Sequence, residues 1–321
     1  MFLNTHFPKA EKYWYMGKLL DWSEAGLHPM IHALHYGTST FEGIRAYSTA
    51  RGPAIFRLPE HVDRLFLSAG VVKMKPPFNK DEITDFIKLT VRANKLESCY
   101  IRPLLFFSYG NLGLVPKACP VELAISAWEW GAYLGEKAGA GVNVYIVPWR
   151  RVHHTQFNMS AKLGGVYVQS TICGLDARDE GFDEAVFLNL EGRVAEGPGQ
   201  NIYIVKNGTL VTNDRKESVL EGITRTSLLE IARDLGFKTV VRPITKEDLF
   251  GADEAFFCGT AVEVIPIISV TDGSDPAGPR IKHTVGKGVP GPIGLKMVGA
   301  YKEAVTGRSP RYEKWLTYVN G

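Results

Sequence analysis

The 321-residue chain has four cysteines, and no two of them stand as a C-x-x-C pair. A chain this long does not need disulfide staples, so Cys99, Cys119, Cys173 and Cys258 read as reduced thiols of a cytoplasmic protein. No apolar run is long enough to span a bilayer. The stretch "MFLNTHFPKAEKYW" at the start has no basic region leading into an apolar core, so it is not read as a secretory leader. Without such a route, the acceptor-like "NMS" at 158 and "NGT" at 207 carry no meaning. Net charge is only +3 and the basic residues are scattered, so neither nucleic acid nor a membrane surface is an expected partner. The densest basic cluster, "WRRVHH" at 149–154, reads as a solvated face or loop. Repeats and low-complexity tracts are missing as well.

Several catalytic signatures are also absent. There is no G-x-x-x-x-G-K-[ST] phosphate loop, no G-x-S-x-G elbow and no H-E-x-x-H helix. "GKGVPG" at 286–291 does match G-x-G-x-x-G. It lies near the C-terminal end with Pro290 inside it and Pro292 after it, which does not suit a dinucleotide turn early in a βαβ unit. His28, His32 and His35 fall within eight residues, with Glu24 and Glu42 the nearest carboxylates and no cysteine near. They read as packing and turn histidines, and no metal is expected.

What remains is a globular balance, 45% hydrophobic and 22% charged, long enough for two domains. We expect a small N-terminal domain over 1–130, a Gly- and Ala-rich linker over 131–141, and a larger domain over 142–321. "YWYMGKLLDW" suggests a hairpin, and "FEGIRAY" and "AIFRL" suggest strands. "PEHVDRLFLSAGVV" and "KDEITDFIKLTVRANKL" carry apolar residues at helical spacing. Two strands follow, "YIRPLLFFSYG" and "VELAISAW". In the second half, "VNVYIVPW" suggests a strand and 162–180 a helix. "EAVFLNL", "NIYIV" and "TLVTN" suggest a meander. "TRTSLLEIARDLG" suggests a helix capped by Thr224 and ended by Gly236. "DEAFFCGT" and "VEVIPIISV" suggest strands. Antiparallel-looking strands mixed with helices favour an α+β class over a doubly wound parallel sheet.

Four segments point to one chemistry. In "NMSAKLGGVYVQS", Lys162 stands among small and apolar neighbours. It is either a surface lysine or an amine held in a desolvated place, where it can form a Schiff base with an aldehyde. In "EGPGQNIYIV", Glu196 opens a glycine-rich turn, and a carboxylate beside a pyridine nitrogen keeps that nitrogen protonated. In "LEGITRTSLLEIARDLG", a glycine leads into Ile223, Thr224 and a helix, whose N-terminal N–H groups suit a phosphate. In "FFCGTAVEV", Thr260 and Ala261 end a strand and offer backbone N–H groups to an anion. Amine, pyridine partner and phosphate site together describe pyridoxal phosphate. Spacing alone does not show that these segments converge.

Along almost the whole chain the sequence resembles the fold type IV, or class IV, pyridoxal-phosphate aminotransferases. Among them it resembles most the branched-chain amino-acid aminotransferases. The segments that carry this are "HALHYGTSTFEGIRAY", "YIRPLLF", "WGAYLG", "SAKLGGVY", "EGPGQNIY", "LEGITR" and "CGTAVEV". The family's E-x-x-x-x-N signature runs through Glu196, Asn201, Leu210, Thr212, Leu220, Gly222, Ile223 and Arg225. Pro198 departs from it, standing where the family has a small residue.

The resemblance implies that Lys162 forms the Schiff base and shuttles the proton. It implies that Glu196 meets the pyridine nitrogen, that Tyr167 bonds the ring hydroxyl, and that Leu220 packs on the ring. Arg64, Ile223, Thr224 and Thr260 would hold the phosphate. Tyr100, Thr260 and Ala261 would take the substrate α-carboxylate. Tyr36, Phe41, Trp130 and Tyr133 would line an apolar pocket, and Arg102 would bind the distal carboxylate of glutamate or 2-oxoglutarate. The activity implied is ping-pong transfer of an amino group from leucine, isoleucine or valine to 2-oxoglutarate, by at least a homodimer. A D-amino-acid or (R)-amine transaminase, an aminodeoxychorismate-type lyase and a non-catalytic B6-binding protein are the alternatives.

Overall fold

The computed structural model describes residues 7–131 and 137–320. Its contacts divide the chain into two units. The first comprises Met1–Gly131, Ala161–Val166 and Glu303–Gly321; the second comprises Ala132–Ser160 and Tyr167–Lys302.

The first unit runs β1 (Lys12–Tyr15), β2 (Lys18–Asp21), α1 (His32–Tyr36), β3 (Ser39–Phe41), β4 (Ile44–Thr49), β5 (Gly52–Phe56), α2 (Leu58–Val71), α3 (Lys80–Ala93), β6 (Cys99–Phe107) and β7 (Val121–Trp128). Its described pairings are all antiparallel. The two long helices form for legible reasons. Pro59 sits in the first turn of α2. Asn79 and Glu82 build a capping box on α3. Their apolar stripes, Leu58, Val62, Leu65 and Ala69 with Ile83, Ile87 and Val91, bury against Ile44, Ile55, Ile101, Leu105, Leu123 and Ile125 of the sheet. Each Val, Leu or Ile among them contributes about 1.5–3 kcal/mol on burial. Because β6 alternates, sending Ile101 and Leu105 into this core turns Tyr100 and Arg102 to the other face.

The second unit runs α4 (Lys137–Ala140), β8 (Val142–Arg150), α5 (Tyr167–Asp179), β9 (Glu184–Leu188), β10 (Asn201–Lys206), β11 (Thr209–Thr212), α6 (Ile223–Asp234), β12 (Lys238–Val241), α7 (Lys246–Phe250), β13 (Glu254–Gly259), β14 (Glu263–Asp272), β15 (Ile281–Thr284) and α8 (Pro292–Val305). Its sheet has the order β12-β11-β10-β13-β14-β8-β9, with β15 on β14. It is mixed: β8 runs parallel to β9 and to β14, and β11 parallel to β12, while the hairpins are antiparallel. The architecture is α+β.

Several boundaries differ from expectation. "FEGIRAY" is not one strand. It breaks at Glu42 and Gly43 between β3 and β4, because the Glu42 carboxylate turns inward to a buried partner. Nor do the three strands of the second half form a meander. β9 pairs with β8 after the α5 crossover, and only β10 and β11 form a hairpin. The helix expected over 162–180 starts at Tyr167, since Leu163 is bridged to Thr40. Thr224 is not the cap of α6: Gly222 is, and Thr224 lies within the first turn. Gly236, at φ +80°, follows the end of that helix as expected. The span 142–321 does not stay in one unit. A strand near the end, β16 (Leu316–Tyr318), pairs with β5, and 161–166 is stitched to the β3 region. Of the expected linker 131–141, residues 132–136 lie outside the described residues.

Candidate active site

In the first unit the backbone of Lys162 is pinned on both sides. Its N–H donates to Ser68 Oγ of α2 at 2.9 Å, and its carbonyl accepts from the Phe41 N–H at 3.2 Å. The side chain is half-buried, with Nζ 4.9 Å from the centre of the Phe41 ring. Its glycine neighbours have a packing reason. A Cβ on Gly164 would strike Ser39, and one on Gly37 would come within 2.7 Å of Gly165 Cα. Their smallness lets this segment close on the 37–39 turn.

The Phe41 ring also carries the guanidinium of Arg102, at 4.7 Å. That guanidinium lies 5.4 Å from the Tyr100 ring, and its Nη2 is 3.4 Å from the Tyr100 hydroxyl. Trp130 meets Tyr100 edge-on at 4.6 Å. The structure therefore brings Lys162, Phe41, Tyr100, Arg102 and Trp130 together. Among the described residues Arg102 pairs with no carboxylate, and its buried Nε has no hydrogen-bond partner. Gly43 makes room for this set: a Cβ there would collide with the Tyr100 hydroxyl.

Tyr36 does not join them. It is 42% exposed on α1, and its hydroxyl donates to the Leu112 carbonyl. Tyr133 lies outside the described residues. Arg64 grips Glu42 in a two-pronged bond, 2.6 Å from Nε and 2.8 Å from Nη2. The fully buried Glu42 also accepts from His61 Nδ1 at 2.8 Å. Burial pushes the Glu42 carboxyl up, but Arg64 and His61 outweigh it and hold the group down at about 2. Burial lowers His61 despite the neighbouring Glu42.

The second unit carries the other half of the candidates. Glu196 is 5% exposed. Its Oε1 accepts from Arg151 Nε at 3.0 Å and its Oε2 from the Leu220 N–H at 3.1 Å. Asn201 at the start of β10 ties the same turn down. Its Oδ1 accepts from the Gly222 N–H at 3.0 Å, and its Nδ2 donates to the Leu220 carbonyl at 2.7 Å. These bonds set Leu220 and the start of α6 beside Glu196. No side chain caps α6, so its first N–H groups, at Ile223 and Thr224, carry the partial positive charge of a helix N-terminus.

The turn of Thr260 and Ala261 joins β13 to β14, and β13 pairs with β10 through Asn201 and Cys258. It therefore lies at the same end of the sheet as Glu196. Tyr167 is the first residue of α5. Pro198 costs the turn beside Glu196 little. The N–H groups used there belong to Gly197, which donates to the Gln200 carbonyl, and Gly199, which donates to Gln200 Oε1. Gln200 is in turn held by Glu184 at 2.8 Å.

A model of the amino-transferase class IV family matches residues 39–270. The chain belongs to the class IV aminotransferases. It is 43% identical over 308 residues to a branched-chain-amino-acid aminotransferase of Pseudomonas aeruginosa, covering 95% of this chain and 96% of that one. The crystal structure of a T.th. branched-chain amino acid aminotransferase with pyridoxamine 5'-phosphate superposes with a TM-score of 0.91. Identity there is 45%, over 98% of this chain and 100% of that one. The same T.th. protein complexed with N-(5'-phosphopyridoxyl)-L-glutamate gives 0.90 at 44% identity, with the same coverage.

Class IV aminotransferases use pyridoxal phosphate, and the donor set here fits it. The first unit, by itself, carries a lysine amine against an aromatic face; the second, by itself, carries a buried carboxylate with an oxygen fixed by a backbone N–H and a helix N-terminus with no side-chain cap.

Three motifs lie outside this set. "GKGVPG" does lead into a helix, α8, but the Ile293 and Gly294 N–H groups of that helix donate to the Glu254 carboxylate at 3.1 and 2.7 Å. The chain's own anion fills that place. His32 is buried, bonded to Thr38 and the Gly113 carbonyl, and His35 bonds the Pro29 carbonyl. "WRRVHH" is not a uniform solvated face. Trp149 is 53% exposed, yet Arg151 is 3% exposed. Sequence reasoning missed Arg151, Glu42, His61 and Ser68 because each acts through a partner far along the chain. Asn201 had a signal, its place in the family signature.

Proposed function

We propose that this protein transfers the amino group of leucine, isoleucine or valine to 2-oxoglutarate by a ping-pong route. The observation that carries it is Arg102, a guanidinium laid on two aromatic rings and paired with no carboxylate among the described residues. The aromatic faces of Phe41, Tyr100 and Trp130 suit a branched apolar side chain, worth about 0.8 kcal/mol per buried CH₂. The guanidinium suits the distal carboxylate of the second substrate.

Pyridoxal phosphate, when bound, supplies an aldehyde to capture the nitrogen and a ring that accepts an electron pair. The residues do the rest. Lys162 takes the proton from the substrate Cα and returns it on the other side of the transfer. When the cofactor is bound, Glu196 would hold the ring nitrogen and Tyr167 the ring hydroxyl, and Leu220 would pack on the ring. Arg64, the Ile223 and Thr224 N–H groups and Thr260 hold the phosphate. Tyr100, Thr260 and Ala261 orient the α-carboxylate.

In this reading the protein acts as a homodimer; Tyr36, which stands apart from Phe41, Tyr100 and Arg102 within one chain, and Tyr133 complete the side-chain pocket only in the dimer. Leu27, Met30, Leu34 and Tyr36 stand exposed with Tyr109, Leu114 and Val115, and Tyr109 touches His28, an apolar patch that suits burial against a second copy. We place the protein in the cytoplasm. Its four cysteines are free and buried, and no described helix is long and apolar enough to cross a membrane.

The test is the visible spectrum of protein supplied with pyridoxal phosphate while L-leucine is added. The expected result is a band that bleaches with leucine and returns with 2-oxoglutarate. A band that answers only D-amino acids or (R)-amines overturns the substrate reading. No band in the wild-type protein, or an unchanged band in Lys162→Ala, overturns the assignment of Lys162.

A further inference from the structure

Arg151 lies in a cluster that reads as solvated, yet it is clamped on every side. Its backbone N–H donates to the Leu188 carbonyl at 2.8 Å. Nε donates to Glu196 Oε1 at 3.0 Å, and Nη1 donates to Gln169 Oε1 at 3.2 Å and Ser170 Oγ at 3.4 Å. The guanidinium lies 5.1 Å from the centre of the Phe187 ring. Gln169 is itself fixed, donating to the Arg150 carbonyl at 2.7 Å. Among the described residues Glu196 is the one carboxylate in contact with this buried cation.

A buried guanidinium is tolerated only beside a negative charge. The pairing acts in both directions. A guanidinium on one oxygen favours the charged carboxylate, and with the Leu220 N–H on the other it fixes the carboxylate's plane. A carboxylate has about four lone-pair sites; Arg151 takes one on Oε1, and on Oε2 the Leu220 N–H is joined by Asn201 Nδ2 at 3.5 Å. Gln169 and Ser170 stand two and three residues after Tyr167, in the first turn of α5. One side chain therefore links the carboxylate to the helix that presents the tyrosine.

We propose that Arg151 is a positioning residue: it holds Glu196 as an oriented anion and ties it to the start of α5, so that the proton stays on the cofactor's ring nitrogen. The proposal rests on the roles given above to Glu196 and Tyr167. A buried carboxylate without its cation holds a proton more tightly. It then competes with the ring nitrogen for that proton, and a neutral ring is a weaker electron sink.

The experiment compares wild-type holoenzyme with Arg151→Gln, Arg151→Lys and Gln169→Leu. Three quantities are read: the pH midpoint of the visible cofactor band, the rate of cofactor release, and the melting temperature of cofactor-free protein. Removing a nearby positive charge favours protonated forms. The midpoint in Arg151→Gln is therefore expected to rise by on the order of one pH unit.

Arg151→Lys restores the charge and brings the midpoint back towards wild type. It still releases cofactor about tenfold faster, because one ammonium cannot hold Glu196, Gln169 and Ser170 together. Gln169→Leu keeps the midpoint and releases cofactor about threefold faster. A purely structural arginine predicts lower melting temperatures with an unmoved midpoint, and that result overturns the proposal. If Arg151→Gln does not fold, wild-type release rates in both other variants overturn it equally. A wild-type protein with no band at all refutes the underlying function instead, and is read first.

Discussion

Replacing Glu42 by Gln removes the charge but keeps the shape of a side chain that meets no solvent. The carboxyl is held at about 2 against an ordinary 4.5. That difference of about 2.5 units is worth about 3 kcal/mol at 1.36 kcal/mol per unit. The sign follows from the direction. A folded-state value below the unfolded one gives stability that is complete above pH 4.5 and is lost as pH falls towards 2. By the same linkage the contribution is about 2 kcal/mol at pH 3.5 and about 1 kcal/mol at pH 2.5. For a unit of this size, 3 kcal/mol corresponds to roughly 6–12 °C in melting temperature.

Glu42→Gln, free of cofactor, is therefore expected to melt roughly 6–12 °C below wild type at pH 7, with the gap narrowing by about a third at pH 3.5. Calorimetry at both values reads this directly. A gap under about 2 °C at pH 7 would refute the energetic account of the Glu42–Arg64–His61 cluster. A gap that stays constant down to pH 2.5 would refute its electrostatic origin.

Arg102→Leu is expected to lower kcat/KM for 2-oxoglutarate by about 10- to 100-fold, the worth of a charge-assisted bond, and to change that for leucine less than about threefold; stopped-flow half-reactions separate the two, and equal losses contradict the assigned role. Gly43→Ala places a methyl group where the Tyr100 hydroxyl stands. Strain of about 1–3 kcal/mol is expected, with KM for both substrates raised as Tyr100 is displaced; wild-type kinetics with wild-type stability would contradict it. Tyr36→Asp, placing a charge in the exposed apolar patch, is expected to shift the protein towards monomer in sedimentation velocity, and an unchanged dimer would remove that patch from the interface.

Much of this protein is legible in its residues because the signals are local. Apolar spacing over 58–71 and 80–93 produces the two helices, since a stripe of that period has one way to be buried. The glycine that follows α6 needs a positive φ, and Gly236 supplies it. The chemistry is local in the same sense. A lysine among small residues, a carboxylate opening a glycine turn and a glycine leading into a helix are short segments, each with its own reason.

Tertiary structure decided the rest. Whether Arg102 pairs inside the protein depends on every carboxylate in the fold, and no window of sequence contains that answer. Arg64 and Glu42 stand 22 residues apart, and Arg151 and Glu196 stand 45 apart. Arg151 looks like an ordinary surface charge, and Arg64's tie to Glu42 is invisible, until the fold brings their partners in. β9 left the expected meander because the α5 crossover made β8 its neighbour. Residue type and period are set along the chain. Charge pairing is set across it, where desolvation makes an unpaired ion too costly to keep.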